Sequence, residues 1–209
     1  MKRQRIFFFA CGVFFCLFSL ACTCAWAQTQ APEPAKIPDG VQKSFFPDGK
    51  LQIESTFKDG KLNGISKEYY PNGKIKVEAE YKDGKRGGIY RSYYEDGTLW
   101  SDGFFKDDRP RGLMRGYFPG GDAMGEWFYN ENGELDTKAF IFFPGGSVAF
   151  EDSYKNGKLE GISKEFYPNG GVHFERAYKD NELTTEKEYN EQGNLIPANV
   201  PEPQKTTAP

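Results

Sequence analysis

Cysteine is confined to Cys11, Cys16, Cys22 and Cys24, so no thiol lies beyond residue 24. A chain cut after that point has no disulfide, no thiolate metal site and no cysteine nucleophile. Histidine is scarcer still. His173 stands alone, and neither a zinc site nor a Ser-His-Asp arrangement can be assembled around it in the usual way. Helical periodicity is missing too: no 11-residue window spaces apolar residues by three and four, and glycine interrupts every run. Positive charge is in deficit, with 27 Lys and Arg against 30 Asp and Glu. Lys2, Arg3 and Arg5 belong to the first five residues, and without them the balance is 24 against 30. That balance argues against nucleic acid as a partner and against an electrostatic hold on anionic lipid.

The basic start is followed by an uncharged apolar run, Ile6 to Ala21, and by Ala25-Trp26-Ala27 before Gln28. This is the pattern of a secretory signal with a cleavage site, which predicts a signal peptide over 1–27 and an exported, periplasmic or envelope-associated product. Two other outcomes stay open: lipidation at Cys22 within Ser19-Leu20-Ala21-Cys22, and retention of 6–27 as an uncleaved anchor. Membrane attachment is expected only through such a lipid or anchor. Residues 28–39 read as a Pro-rich flexible linker, and 197–209, with four prolines, as a disordered tail.

Between them, Gly49, Gly73, Gly97, Gly121, Gly146, Gly170 and Gly193 recur every 23 to 25 residues. A fixed period of this length marks a repeat protein. Each unit carries a Pro-x-Gly type turn, such as Tyr70-Pro71-Asn72-Gly73-Lys74, and a second turn such as Lys82-Asp83-Gly84, with alternating residues between. Two turns per unit make each unit a β-hairpin. The fold class is therefore all-β: an elongated, twisted antiparallel ribbon of tandem hairpins over 40–196, with about 13 strands.

Strict alternation from the Tyr70/Lys74 pair puts Ile65, Tyr69, Ile75, Val77, Ala79 and Tyr81 on an apolar face. Ser66, Glu68, Tyr70, Lys74, Lys76, Glu78 and Glu80 fall on a polar one. Lys67 then sits on the apolar side, as do Lys43, Arg91, Arg115 and Lys164, and their stems are expected to lie along aromatic rings as a cation–π ladder.

The pattern Glu-Tyr-Tyr-Pro-Asn-Gly-Lys followed by Glu-x-x-Tyr-Lys-Asp-Gly-Lys-x-x-Gly over Glu68–Gly88 resembles the MORN-repeat variant found in many bacterial proteins, over roughly residues 40 to 195. The resemblance implies tandem β-hairpins, a role in scaffolding or protein contact, and no shared catalytic residues.

Glu54, Glu78, Asp102, Glu126, Glu151 and Glu175 recur at one position of successive units. Two strands apart, about 9.6 Å, they are too distant to share a proton or a metal, and they read as solvated charges paired with lysines. The columns Phe45/Tyr69/Tyr93/Tyr117/Phe142/Phe166 and Phe57/Tyr81/Phe105/Tyr154/Tyr178 read as packing. Tyr90, Trp100, Phe104, Met114, Met124, Phe128 and Ile141 replace polar residues of other units, all in the middle third, and form the candidate interaction patch. No catalytic, metal or cofactor site emerges. The reading is a non-catalytic scaffold for an envelope protein partner, with a cell-wall glycan stacked on repeated rings as the alternative.

Overall fold

The computed structural model describes residues 37–197, and the signal, lipidation, anchor, most linker and tail expectations lie outside them. Strands β1 (Gly40–Phe45), β2 (Leu51–Lys58), β3 (Lys61–Tyr69), β4 (Ile75–Lys82), β5 (Lys85–Tyr93), β6 (Leu99–Lys106), β7 (Arg109–Tyr117) and β8 (Ala123–Tyr129) follow one another without a helix. They continue as β9 (Leu135–Phe142), β10 (Val148–Lys155), β11 (Lys158–Leu159), β12 (Gly161–Phe166), β13 (Val172–Lys179), β14 (Glu182–Tyr189) and β15 (Leu195–Ile196). All pair antiparallel in a single sheet that follows chain order, except that β11 and β12 both pair with β10. The count of 15 rather than about 13 has two sources: a break at Glu160 divides β11 from β12, and the Gly193 turn closes one more hairpin.

Two turn chemistries alternate. At the first, Tyr70 N donates to Lys74 O and Gly73 N to Tyr70 O, both at 2.8 Å, with Gly73 at φ 86°. This is the three-residue loop in which a left-handed glycine closes a tight turn. At the second, Lys82 pairs with Lys85 across Asp83 (φ 52°) and Gly84 (φ 87°), the two-residue loop whose twist matches that of the strands. The single 25-residue interval, Gly121 to Gly146, is absorbed at one place. There the second turn takes the three-residue form, with Asn130 N donating to Glu134 O at 2.8 Å.

Strict alternation fails at one residue beside each first-type turn, whereas the pairs β2/β3, β4/β5 and β6/β7 shift register by two residues, which leaves parity unchanged. Glu68 pairs with Val77 but Tyr69 with Ile75, so Lys76 is a bulge residue and the parity of β4 slips by one against β3. The same slip recurs beside Leu51, Leu99, Ala123, Val148 and Val172. The face assignment from simple alternation is thereby corrected. Ser66 shares a face with Ala79 and Gly64 with Tyr81, whereas Lys67 shares the opposite face with Glu78.

Consequently the two aromatic columns lie on opposite faces of the sheet. Phe57, Tyr81, Phe105, Tyr154 and Tyr178 flank a row of small residues that includes Ser55, Ser66 and Ala79. Ser55 and Ala79 are buried there, as is Ser92 farther along, and the Ser55 and Ser66 hydroxyls meet at 2.6 Å. Tyr69, Tyr93 and Tyr117 stand on the other face. Adjacent units are tied by the second aromatic of each turn, as the hydroxyls of Tyr70 and Tyr94 donate to the carbonyls of Tyr93 and Tyr117, each at 2.8 Å.

Candidate interaction surface

The face opposite the small residues carries an alternating row of charge. Register places Lys43 beside Glu54, Glu54 beside Lys67, Lys67 beside Glu78, and Glu78 beside Arg91. Arg91 then meets Asp102, Asp102 meets Arg115, and Arg115 meets Glu126. Phe140 of β9 is the break; beyond it Glu151, Lys164, Glu175 and Lys187 resume the alternation. The ion pairs are close: Lys43–Glu54 at 2.8 Å, Lys67–Glu78 at 3.3 Å, Arg115–Glu126 at 3.4 Å and Lys187–Glu175 at 3.1 Å. At the break Lys138, two residues along the same strand, reaches Glu151 instead.

The lysine and arginine column is therefore the partner of the acidic column, not a cation–π ladder. Close cation–ring contacts occur elsewhere among the described residues, with Arg86 over Phe105 and Arg176 over Phe174, both at 4.2 Å. Hydrogen bonds to Glu54 and Glu175 hold the Lys43 and Lys187 ammonium groups above their ordinary range. Tyr117 borders the row and donates to Asp102 at 3.0 Å; burial, then that bond, pushes its phenol up.

Beside the ladder runs a row that alternation alone did not expose. Ile89 pairs with Phe104 and Leu113 with Phe128, so four adjacent strands, β5 to β8, present apolar side chains on the ladder face. Ile89 and Phe104 are exposed, Phe104 at 48 %. With Leu113 they line a groove of about 600 Å³ bordered by Arg91, Asp102, Lys106, Arg111 and Glu131. The sequence signal was present: Val41, Ile65, Ile89 and Leu113 recur every 24 residues, in line with the basic column two places on.

The register divides the seven patch residues. Phe104 and Phe128 belong to the ladder face. Tyr90, Met114 and Ile141 pair with Ala79, Trp127 and Gly125 on the small-residue face. Trp100 and Met124 occupy bulge positions there, with the Trp100 ring 6.3 Å from that of Tyr94. Three glycines make room for this cluster. A Cβ at Gly103 would clash with Met114 Sδ, one at Gly116 would lie 2.9 Å from the Met124 methyl, and one at Gly125 would lie 2.7 Å from the Trp127 ring. Trp127 was not singled out by sequence, although it is the ring that covers Gly116 and Gly125. His173 takes the same bulge position, stacked on Tyr167 at 4.3 Å and between the carboxylates of Glu165 and Glu188.

An open sheet of bulged hairpins with a periodic charge row defines a β-hairpin repeat protein. The MORN repeat variant matches residues 38–59, 62–83, 86–107 and 159–180, so the chain carries four repeats of that family. Repeats of this family are protein-interaction and scaffolding modules, and the family is a non-catalytic one. No curated protein matches the chain.

Proposed function

We propose that the protein is an exported, non-catalytic scaffold that holds a protein partner of the cell envelope on the middle of its ladder face. The observation that supports this reading most is the row Ile89, Phe104, Leu113, Phe128, apolar on four adjacent strands and set between charged borders. Solvent-exposed apolar rows of this kind are the usual core of an interface, and a polar rim around them sets register. Arg91 and Arg111 on the border are paired with Glu78 and Glu131, and Lys106 beside them favours a partner segment that brings a carboxylate next to its apolar side chains. Export is supported by the basic, then apolar, then small-residue order of residues 1–27.

The test has two parts. Mass measurement of the protein recovered from its own envelope fraction should give a start at Gln28; a lipidated Cys22 or an intact Met1 would change the mode of attachment. A photo-reactive residue at Phe104 should crosslink one envelope protein, and the purified pair should lose about tenfold or more in affinity with Phe104→Ser and Phe128→Ser together. Because Phe104 is half exposed, the melting temperature of Phe104→Ser alone should stay close to wild type, and that single variant should already weaken the purified pair. Capture of glycan strands in place of a protein, or unchanged affinity in the double variant, would overturn the reading.

A further inference from the structure

We propose that the outer edge of β1 takes up an extended segment of another protein as an added antiparallel strand, one that sets a carboxylate against Lys43. The inference is independent of the apolar groove. Among the described residues β1 has β2 on one side and no strand on the other. Its side chains are almost all exposed, with Val41 at 55 % and Phe45 at 57 %. An edge of this kind presents a row of backbone N–H and C=O groups, the template on which an incoming strand is built. The opposite edge is guarded: β15 has two residues and is followed at once by Pro197, which has no N–H to offer.

The charge row specifies the occupant. Glu54, Glu78 and Asp102 each stand between two basic residues, but Lys43 has an acid on one side only. An incoming strand that continues the alternation brings an acid; one that brings Lys or Arg meets a like charge directly opposite, which is destabilising. A second copy fits poorly for the same reason, because β1 contains no acid: a self-pairing centred on Lys43 sets Lys43 beside Lys43, and one centred on Gln42 sets it beside Val41.

One repeat farther on, β2 stands to β3 as the new strand would stand to β1. There Ile53, Glu54 and Ser55 oppose Glu68, Lys67 and Ser66. The expected core of the incoming segment is thus an apolar, an acidic and a small residue in succession, without proline.

The probe is a capped synthetic peptide with the sequence of Leu51–Lys58, titrated against the full chain. Saturable binding is expected, weakened about fivefold to tenfold when the glutamate of the peptide is replaced by lysine. With Lys43→Glu in the protein that preference should reverse, and with Lys43→Gln it should vanish. N-methylation of alternate peptide residues should separate two sets, since successive N–H groups point to opposite edges: one set abolishes binding and the other spares it. Phe104→Ser should leave all of these results unchanged, which separates failure here from failure of the groove. No saturable binding by about 1 mM peptide, a charge preference indifferent to residue 43, or equal tolerance of both methylated sets would overturn the proposal.

Discussion

Position two of the three-residue turn shows how one side chain sets local geometry. Asp96 Oδ1 accepts from Thr98 N at 2.8 Å and Asp48 Oδ1 from Lys50 N at 3.1 Å, while Asn72 and Asn169 make the same bond at 2.9 Å in other units. Either residue can close the turn, but only the aspartates titrate. The backbone N–H groups of Thr98 and Lys50 hold the Asp96 and Asp48 carboxyls below their ordinary value of 3.8. A depressed carboxyl adds stability that is fully present above the unfolded value and is lost as pH falls through the lower folded value. Replacing both by Asn keeps the acceptor and removes the titration. Asp48→Asn with Asp96→Asn should therefore leave the urea midpoint at pH 7 near wild type and shrink the drop in midpoint between pH 5 and pH 2; an unchanged drop would mean that these turns do not contribute to acid sensitivity.

At the scale of the hairpin, the charge row and the bulge are one design. A single extra residue beside each Pro-x-Gly turn, such as Lys76, moves the acidic column of the even strands onto the face of the basic column, where unlike charges stand directly opposite. Glu78 touches two cations, Lys67 at 3.3 Å and Arg91 at 3.8 Å, and its side chain is 23 % exposed. Cross-strand ion pairs contribute about 0.2–1 kcal/mol each, so Glu78→Gln should cost about 0.5–2 kcal/mol. The loss should be smaller in 1 M salt, where exposed charges are screened within about 3 Å; denaturant titrations at low and high salt read both quantities. A loss independent of salt would place the role of Glu78 in packing.

The hairpins and both turn types were legible, because glycine and proline at fixed spacing leave few backbone solutions. The bulge was not, since the extra residue is Gln52, Lys76, Trp100, Met124, Ala149 or His173 and shares no chemistry. Its trace was the set of basic residues that strict alternation forced onto the apolar side, a slip in parity rather than a property of lysine. The middle third was legible as unusual in composition. Its division between two faces follows from the bulge and was hidden with it.

Across the whole sheet, each strand packs mainly on the strands next to it in chain order, with β12 meeting β10 across the short β11, so stability is carried by single units and the junctions between them. The units are unequal. Ser92, Phe105, Gly116 and Gly125 are buried in the middle, where Trp127 and the methionines cover the glycines, whereas every side chain of β14 from Glu182 to Lys187 is exposed. Backbone amides of β5 to β8 should accordingly exchange slowest and those of β14 and β15 fastest. Gly125→Ala tests the same principle. Its Cβ would meet the Trp127 ring at 2.7 Å and the Phe140 carbonyl at 2.9 Å, an overpacking expected to cost about 1–3 kcal/mol. In a nearest-neighbour array that cost stays local: exchange should accelerate in β7 to β10 and change little in β1 and β2. Equal acceleration in every strand would instead show that the sheet opens as one cooperative unit, and that its repeats are bound together by more than the contacts between adjacent strands.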